Sequence, residues 1–359
     1  MSKASRNNLI RCLIFLLILG IAFLYLNQVF SIAESEESKQ NFNQFYSEKE
    51  NTIDGFYFGS SNGTRYWNSS MAYHETGITV YNIATTSQSI VAVKSLMKEV
   101  EKTQNPKLFV VELRWLNRGH DRIEETFIRK VTDCMALSSA ERIECINESV
   151  DFALPGDNDV VDNKLDYYVP IFKYHNRWNG GDLSSDDFKI NGPRNQWKGF
   201  TLSPGKSFEQ NEQEPAVYSD KTEALEPETE QVVDELLDYC DSIDTEVLFV
   251  LSPHSLKEQD VGKLNEAVKI VSERGYPILN FNTEDMIEEL DINWETDFYN
   301  ANHANILGAE KYTKYLTNYI SEHYDLKDRR GDAEYKSWDE AYESYLDYIK
   351  EKRPKMKTS

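Results

Sequence analysis

The chain has 359 residues, a length that suits one large domain or two small ones. Its formal charge is −22, with 61 acidic and 39 basic side chains, which argues against duplex nucleic acid as a partner. The four cysteines have no zinc-type spacing, and the acidic stretch 157–162 departs from a calcium loop at its third ligand and its glycine. We therefore predict no metal site and no cofactor.

The N-terminal region predicts a membrane anchor. An apolar run spans residues 12–26, and a further mostly apolar stretch extends to Ala33. This length approaches the about 20 residues that cross a bilayer. The basic residues that precede the run predict a cytoplasmic N-terminus and an extracytoplasmic main domain. A cleaved secretion signal ending at Ala33 is the alternative, but such signals have apolar runs of about 7–15 residues. We favour a retained anchor over residues 1–33.

Short apolar runs alternate with helical patterns along the rest of the chain. Strands are predicted at about 55–59, 77–83, 106–113, 245–252 and 276–281. Helices are predicted at about 88–102, 226–243, 258–274, 283–290 and 307–323. Alternation of this kind indicates right-handed crossovers and a parallel sheet with helices on both faces. We predict an α/β fold with three layers, α/β/α, and a mostly parallel, flavodoxin-like sheet of five strands.

The remaining segments complete the predicted domain organisation. Residues 34–52 are polar without a clear period, which predicts a stalk. The α/β domain covers 53–325, with a large insertion at about 115–225 after the third strand. Loops mounted on a rigid sheet commonly supply substrate contacts. A charged helix and tail follow at 326–359.

Cys134 and Cys145 lie eleven positions apart in the insertion. Outside the cytoplasm, a disulfide between them is one interpretation. Two separately buried thiols are the other, and the sequence leaves both open.

A serine and a histidine are candidates for nucleophilic chemistry. The first predicted strand ends abruptly at Gly59-Ser60-Ser61, at the carboxyl edge where open α/β sheets bind ligands. His303 precedes a predicted helix, and its loop would lie over the same edge. Serine becomes a nucleophile when an imidazole accepts its proton and a third group orients that imidazole.

Three segments in this order resemble the SGNH (GDSL-type) hydrolase superfamily. They are Phe58-Gly-Ser-Ser61 after the first strand, Tyr81-Asn-Ile-Ala-Thr-Thr-Ser-Gln88 after the second, and Phe298-Tyr-Asn-Ala-Asn-His-Ala-Asn-Ile-Leu-Gly-Ala309. The chain is most similar to the membrane-anchored, extracytoplasmic branch that contains the DltD-like and acyltransferase-associated proteins. The resemblance covers roughly 53–115 and 245–323, but not the insertion.

By position, the resemblance makes Ser61 the nucleophile and His303 the general base. The family's aspartate three residues before the histidine is Asn300 here, and an amide stabilises an imidazolium less than a carboxylate does. Asp297, six residues before the histidine, is the nearest candidate carboxylate. A serine–histidine dyad or an inactive site are the alternatives.

The resemblance also implies an oxyanion hole. Its donors would be the backbone amides of Ser61 and of Ala84 or Thr85, because an alanine amide can replace that of the family's glycine. Arg114 or Asn117 would stand where the family has an asparagine.

The insertion contains Tyr174-His-Asn-Arg-Trp178, which resembles segments of related anchored proteins. Arg177 would clamp a phosphate or carboxylate, Trp178 would stack on a sugar, and His175 would line the same site. A loop fixed by an arginine hydrogen bond and a buried tryptophan is the alternative. His254, after the fourth strand, is a further candidate pocket residue.

The resemblance implies an anchored serine esterase or acyltransferase that acts on O-acyl groups, D-alanyl or acetyl, of a cell-envelope glycopolymer. A membrane-bound O-acyltransferase would be its partner. The alternative is a catalytically silent scaffold that binds the polymer or that acyltransferase. A carboxylate within hydrogen-bond reach of the His303 nitrogen that faces away from Ser61 would favour the enzyme, and its absence would favour the scaffold.

Overall fold

A five-stranded sheet forms the centre of the computed structural model, which describes residues 3–117, 119–203 and 205–352. All neighbouring strands are parallel, and their spatial order is second, first, third, fourth, fifth. The predicted α/β class and five-stranded parallel sheet are confirmed. The strands are β1 Gly55–Phe58, β2 Val80–Asn82, β3 Leu108–Glu112, β4 Glu246–Leu251 and β5 Ile278–Asn280.

Two short strands outside this sheet were not predicted. They are β6 Phe298–Asn300 and β7 His303–Ala304, which form an antiparallel pair. They have three and two residues, too short to show a period of two in the sequence.

Helices connect and cover the strands, and each helix predicted around the sheet is present with small shifts at its ends. They are α1 Lys3–Val29, α2 Glu37–Phe45, α3 Ser61–Tyr66, α4 Ser69–Thr76, α5 Val91–Glu101, α6 Glu125–Thr132, α7 Ala140–Ala153, α8 Leu165–Tyr168, α9 Ile171–Tyr174, α10 Arg177–Gly180, α11 Pro227–Asp241, α12 Glu258–Glu273, α13 Glu284–Glu289, α14 Ile306–His323 and α15 Lys336–Lys352. Short 3₁₀ turns lie at Arg114–Asn117, His120–Arg122 and Ala333–Tyr335.

Alternate residues of the central strands belong to two separate apolar clusters. Phe109 and Val111 of β3 pack in one cluster with side chains of α5, α11 and α12. Leu108 and Val110 pack in the other with side chains of α4, α14 and α15. Because side chains of both strand faces are buried, the strands are continuous apolar runs in the sequence.

Helix α1 contains a stretch, Ser5–Val29, that is long and apolar enough to cross a bilayer, with a mean hydropathy of 2.7. Its apolar side chains are exposed from Leu9 to Leu26. This agrees with the predicted transmembrane helix in length and composition.

The prediction of a stalk at 34–52 is wrong. Residues 37–45 form α2, and its Phe42 and Phe45 are fully buried. The Phe45 ring meets the Phe56 ring of β1 edge-on at 5.7 Å between centroids. Two phenylalanines three positions apart suffice to dock so short a helix, and its other residues are polar, so the sequence shows little amphipathic period.

Cys134 and Cys145 are separate, buried free thiols, so the disulfide interpretation is not the one that the structure shows. Burial raises the pKa of each thiol to about 12, which keeps both protonated.

Replacing Phe42 by Ala should lower the free energy of unfolding by about 3–5 kcal/mol, because it removes a large buried side chain and leaves a cavity. Denaturant unfolding of the full chain in detergent measures this. Gln44→Ala, on the polar side of the same helix, is the control and should change stability by less than about 0.5 kcal/mol. An equally small effect of both variants would show that α2 is not docked on the domain and would support the stalk interpretation of residues 34–52.

Candidate active site

Ser61 lies at the carboxyl edge of the sheet, directly after β1. The Ser60 Oγ accepts a hydrogen bond from the Asn62 N–H at 3.4 Å, so Ser60 caps α3 and Ser61 is its first residue. Gly59 allows the end of β1 to lie this close to β3, because a Cβ there would lie 2.8 Å from the Glu112 Cβ. The half-buried Ser61 hydroxyl therefore sits where the ends of β1 and β3 meet.

The strand pair β6–β7 brings the histidine to this serine. Asn300 and His303 are opposite each other in the antiparallel register. The His303 Nε2 lies 2.8 Å from the Ser61 Oγ, and the His303 Nδ1 lies 3.0 Å from the Asn300 Oδ1. The Tyr299 ring stacks on the imidazole, with 5.5 Å between centroids. Serine, imidazole and amide thus form a continuous hydrogen-bonded row.

A backbone hydrogen bond determines the orientation of the Asn300 amide. The Asn302 N–H donates to the Asn300 Oδ1 at 2.9 Å, so this atom must be the carbonyl oxygen. The same oxygen can accept from His303 only if Nδ1 carries the ring proton. The Nε2 lone pair then faces the Ser61 hydroxyl, which is the tautomer that a general base needs.

The surroundings keep the His303 imidazole neutral. Burial is the main cause, and together with the positive charges of Arg114, Arg65 and Lys206 it lowers the pKa of His303 to about 3. An imidazole of this kind is available as an acceptor at neutral pH, but the protonated form is unfavourable.

Asp297 does not contact the imidazole. Its carboxylate accepts hydrogen bonds from the Lys311 Nζ at 2.8 Å, the Asn293 N–H at 2.8 Å and the Thr296 hydroxyl at 3.0 Å. It therefore stabilises the loop before β6. Among the residues that the structure describes, no carboxylate hydrogen-bonds to His303.

Two of the three expected oxyanion donors are already engaged. The Ala84 N–H donates to the Asn82 Oδ1 at 3.1 Å, and the Thr85 N–H donates to the Gly59 carbonyl at 3.2 Å. The Ser61 N–H makes no hydrogen bond to a described residue. Of the three, this amide alone is available to an oxyanion.

Arg114 reaches the residues on either side of the serine–histidine pair. Its Nη1 donates to the Asn62 Oδ1 and its Nη2 to the Asn302 Oδ1, each at 2.6 Å. The guanidinium thereby connects α3 to the β6–β7 turn. The side chain of Asn117, the other candidate at this position, lies outside the described residues.

A buried polar network lies next to this arginine. The Asn62 amide donates to the Ser252 Oγ at 3.1 Å, and that hydroxyl donates to the Glu112 Oε1 at 3.2 Å. Burial raises the pKa of Glu112 to about 7, although Arg114 opposes the shift. His254 is also buried here: its Nδ1 donates to the Ser252 carbonyl at 2.9 Å, and burial holds its pKa well below the usual value.

Sequence reasoning missed Asn62, Asn302, Glu112 and Ser252. Glu112 and Ser252 are polar residues at the carboxyl ends of apolar strands, and this position was the available signal. A polar crevice of about 250 Å³ opens beside the network; its lining residues are Arg114, Trp115, Arg122, Lys257, Gln259, Asp260 and Asn302.

The insertion residues have a different location from the one expected. The Arg177 guanidinium donates to the carbonyls of Val29 at 3.2 Å and Ser31 at 2.9 Å, at the end of α1. Trp178 is 69% exposed, and the exposed His175 contacts the Phe172 carbonyl. Their hydrogen bonds are to the end of α1 and to the insertion, not to the residues around Ser61. The arginine is fixed, as in one alternative, but the tryptophan is not buried.

The substitution Asn300→Asp should raise the pKa of His303 from about 3 toward or above its usual value near 6.5, because a carboxylate at Nδ1 favours the imidazolium. The measurement is an NMR titration of the full chain with labelled histidine Cε1, assigned with His303→Gln. In the control Asn300→Ser, which adds no charge, the pKa should stay low. A wild-type His303 that titrates near 6.5 would contradict the proposed electrostatics.

Comparison of the chain with family models, with curated proteins and with solved structures gave no match in any of the three.

Proposed function

We propose that the chain is a membrane-anchored, extracytoplasmic serine esterase or acyltransferase of SGNH type. The observation that carries this proposal is the hydrogen-bonded row Ser61 Oγ, His303 Nε2, His303 Nδ1, Asn300 Oδ1 at the carboxyl edge of a parallel sheet. Serine hydrolases place nucleophile, base and orienting group in this order.

No carboxylate of a described residue hydrogen-bonds to the His303 Nδ1. By this criterion alone the second candidate, a silent scaffold, would be the better interpretation. The orientation of the Asn300 amide argues for the enzyme. An asparagine in a triad impairs catalysis strongly when it selects the wrong imidazole tautomer. Here the Asn302 N–H fixes the amide oxygen toward His303, which selects the right one. What is missing is charge stabilisation of the imidazolium, so we expect slow turnover rather than none.

The reaction would proceed through an acyl-serine. The Ser61 Oγ attacks the acyl carbonyl while its proton moves to the His303 Nε2. The oxyanion that forms would accept from the Ser61 N–H. Collapse breaks the ester bond, and the departing alkoxide takes the proton back from the imidazolium. Water, or a second hydroxyl in a transfer reaction, then releases the acyl group by the same steps in reverse order.

The substrate class is proposed from the family resemblance and from the charge near the site. Arg114, Arg122 and Lys257 line the crevice beside Asn302, against the single acidic side chain of Asp260. A cationic lining suits a polymer that carries phosphates or carboxylates. We therefore propose an O-acylated, anionic envelope glycopolymer, with a membrane-bound O-acyltransferase as partner.

The proposed location and layering follow from the same analogy. Helix α1 would span the membrane with its N-terminus in the cytoplasm, because basic residues precede the apolar run. The strand order is that of flavodoxin-like sheets, and we propose the corresponding three layers.

A fluorophosphonate probe should label the full chain in detergent, because the probe reports a serine activated by a base. Intact mass should show one added group on wild type and none on Ser61→Ala or His303→Ala. Ser60→Ala, which removes the neighbouring hydroxyl, should remain labelled. Equal labelling of Ser61→Ala and wild type would refute the assignment of the nucleophile, and a well-folded wild type without labelling would favour the scaffold.

Asn300→Asp should increase kcat for hydrolysis of a small activated ester by about tenfold or more, because the rate of general-base catalysis rises with a fraction of each pKa unit that the base gains. The acid limb of the pH profile should move up with it, whereas wild type should show no His303 inflection between about pH 5 and 8. A decrease in kcat in Asn300→Asp would contradict the view that only the missing charge limits the site.

A further inference from the structure

Within the insertion, four large apolar side chains between residues 172 and 190 are exposed to solvent. They are Phe172, Trp178, Phe188 and Ile190, with exposed fractions of 49%, 69%, 51% and 79%. We refer to these four residues as the collar. Single exposed apolar residues are common on protein surfaces, but a group of large ones in one short segment indicates an interaction surface.

Hydrogen bonds join residues 171–195, which contain the collar and are called the collar segment below, to the last turns of α1. The Tyr25 hydroxyl donates to the Phe188 carbonyl at 3.0 Å, and the Gln28 amide donates to the Lys189 carbonyl at 2.9 Å. The Ile171 N–H donates to the Asn27 Oδ1 at 3.3 Å. The collar residues at or adjacent to these bonded positions in the chain, Phe172, Phe188 and Ile190, therefore lie near the end of α1.

Arg177 fixes this arrangement. Its guanidinium donates to the carbonyl of Val29, the last residue of α1, which has no intrahelical partner, and to the carbonyl of Ser31 just beyond the helix. It also forms an ion pair with Asp187 at 2.9 Å, and the side chains of both residues are largely buried. The arginine thus joins the helix end to both halves of the collar segment.

The solvent exposure of α1 side chains falls abruptly where the helix contacts the collar segment. Leu26 is 42% exposed, whereas Asn27 is 3% and Val29 is 1% exposed. The apolar surface of α1 therefore stops at about Leu26, within the stretch from Tyr25 to Gln28 that hydrogen-bonds to the segment containing the collar. If lipid covers α1 up to Leu26, the boundary between lipid and water lies at the collar.

The charge of the segment differs from that of the chain. Residues 171–195 contain four basic and three acidic side chains, whereas the whole chain carries −22. Anionic lipid repels an acidic surface, and this segment lacks the excess of acidic groups that would keep it away from a bilayer.

We propose that the collar inserts into the outer lipid–water interface, so that the soluble domain sits on the bilayer in a fixed orientation. Aromatic side chains are favoured at this depth, where apolar rings meet head groups. The inference rests on the proposed anchoring by α1. Its ligand is the lipid surface itself, not a protein partner.

The test uses tryptophan fluorescence of the full chain in nanodiscs of phosphatidylcholine and phosphatidylglycerol. Lipids brominated near the head group quench tryptophans that lie at that depth. We expect wild type to show a quenched component that disappears in Trp178→Phe and persists in the matched control Trp294→Phe. Ile190→Asp should reduce quenching of Trp178 at least twofold, because a charge in the collar opposes its insertion into lipid.

Each outcome is decisive. Equal quenching of wild type and Trp178→Phe, or no quenching in wild type that is incorporated into nanodiscs, would overturn the collar and leave the anchor intact. Absence of quenching in nanodisc-incorporated wild type is also the result expected if a membrane protein, rather than lipid, covers the collar. Failure of the full chain to associate with nanodiscs would overturn anchor and collar together, and neither result would bear on fluorophosphonate labelling of Ser61.

Discussion

The proposed chemistry depends on one hydrogen bond, from the His303 Nδ1 to the Asn300 Oδ1. Arg114, Arg65 and Lys206 all place positive charge near the imidazole, and no carboxylate of a described residue balances them at Nδ1. Such a field would stabilise an oxyanion and attract an anionic substrate, but it opposes the imidazolium that must form on His303. The site therefore combines a correctly oriented base with a low basicity, and these two properties have opposite effects on the rate.

The sheet explains why the position of Ser61 could be predicted from the sequence, whereas His303 lies on β7 outside the sheet and was expected near Ser61 from the family resemblance and the predicted helix that follows it. Parallel strands expose their carboxyl ends at one edge, so residues after β1, β3 and β4 must meet, whatever their separation in the chain. The oxyanion amides could not be predicted in the same way. Whether the Ala84 N–H is available depends on the Asn82 side chain that accepts it, and such local competition leaves no periodic pattern.

The regions that the sequence left without structure fold through contacts with distant residues. Helix α2 has few apolar residues, but Asn41 donates from its side chain to the carbonyls of Asn82 at 2.9 Å and Ala84 at 3.2 Å. In the insertion, Arg177 has the donor geometry of an anion clamp, yet helix-end carbonyls occupy its guanidinium. Residue type indicated the capacity to donate in both cases, while the acceptor was determined by tertiary structure alone.

A further contact of α2 connects α1, the candidate transmembrane helix, to the candidate site. Helix α2 follows α1 after a short turn. The Arg65 Nη2 of α3 donates to both carboxylate oxygens of Glu37 in α2, at 3.0 and 2.7 Å. Ser61 begins α3, so the helix that presents the nucleophile is joined through α2 to the end of α1. If α1 and the collar hold the domain on the bilayer, this connection from α1 through α2 to α3 fixes the orientation of Ser61 relative to the membrane. The proposed envelope polymer would then meet the serine from a constant direction, which lowers the entropic cost of orienting the two reactants.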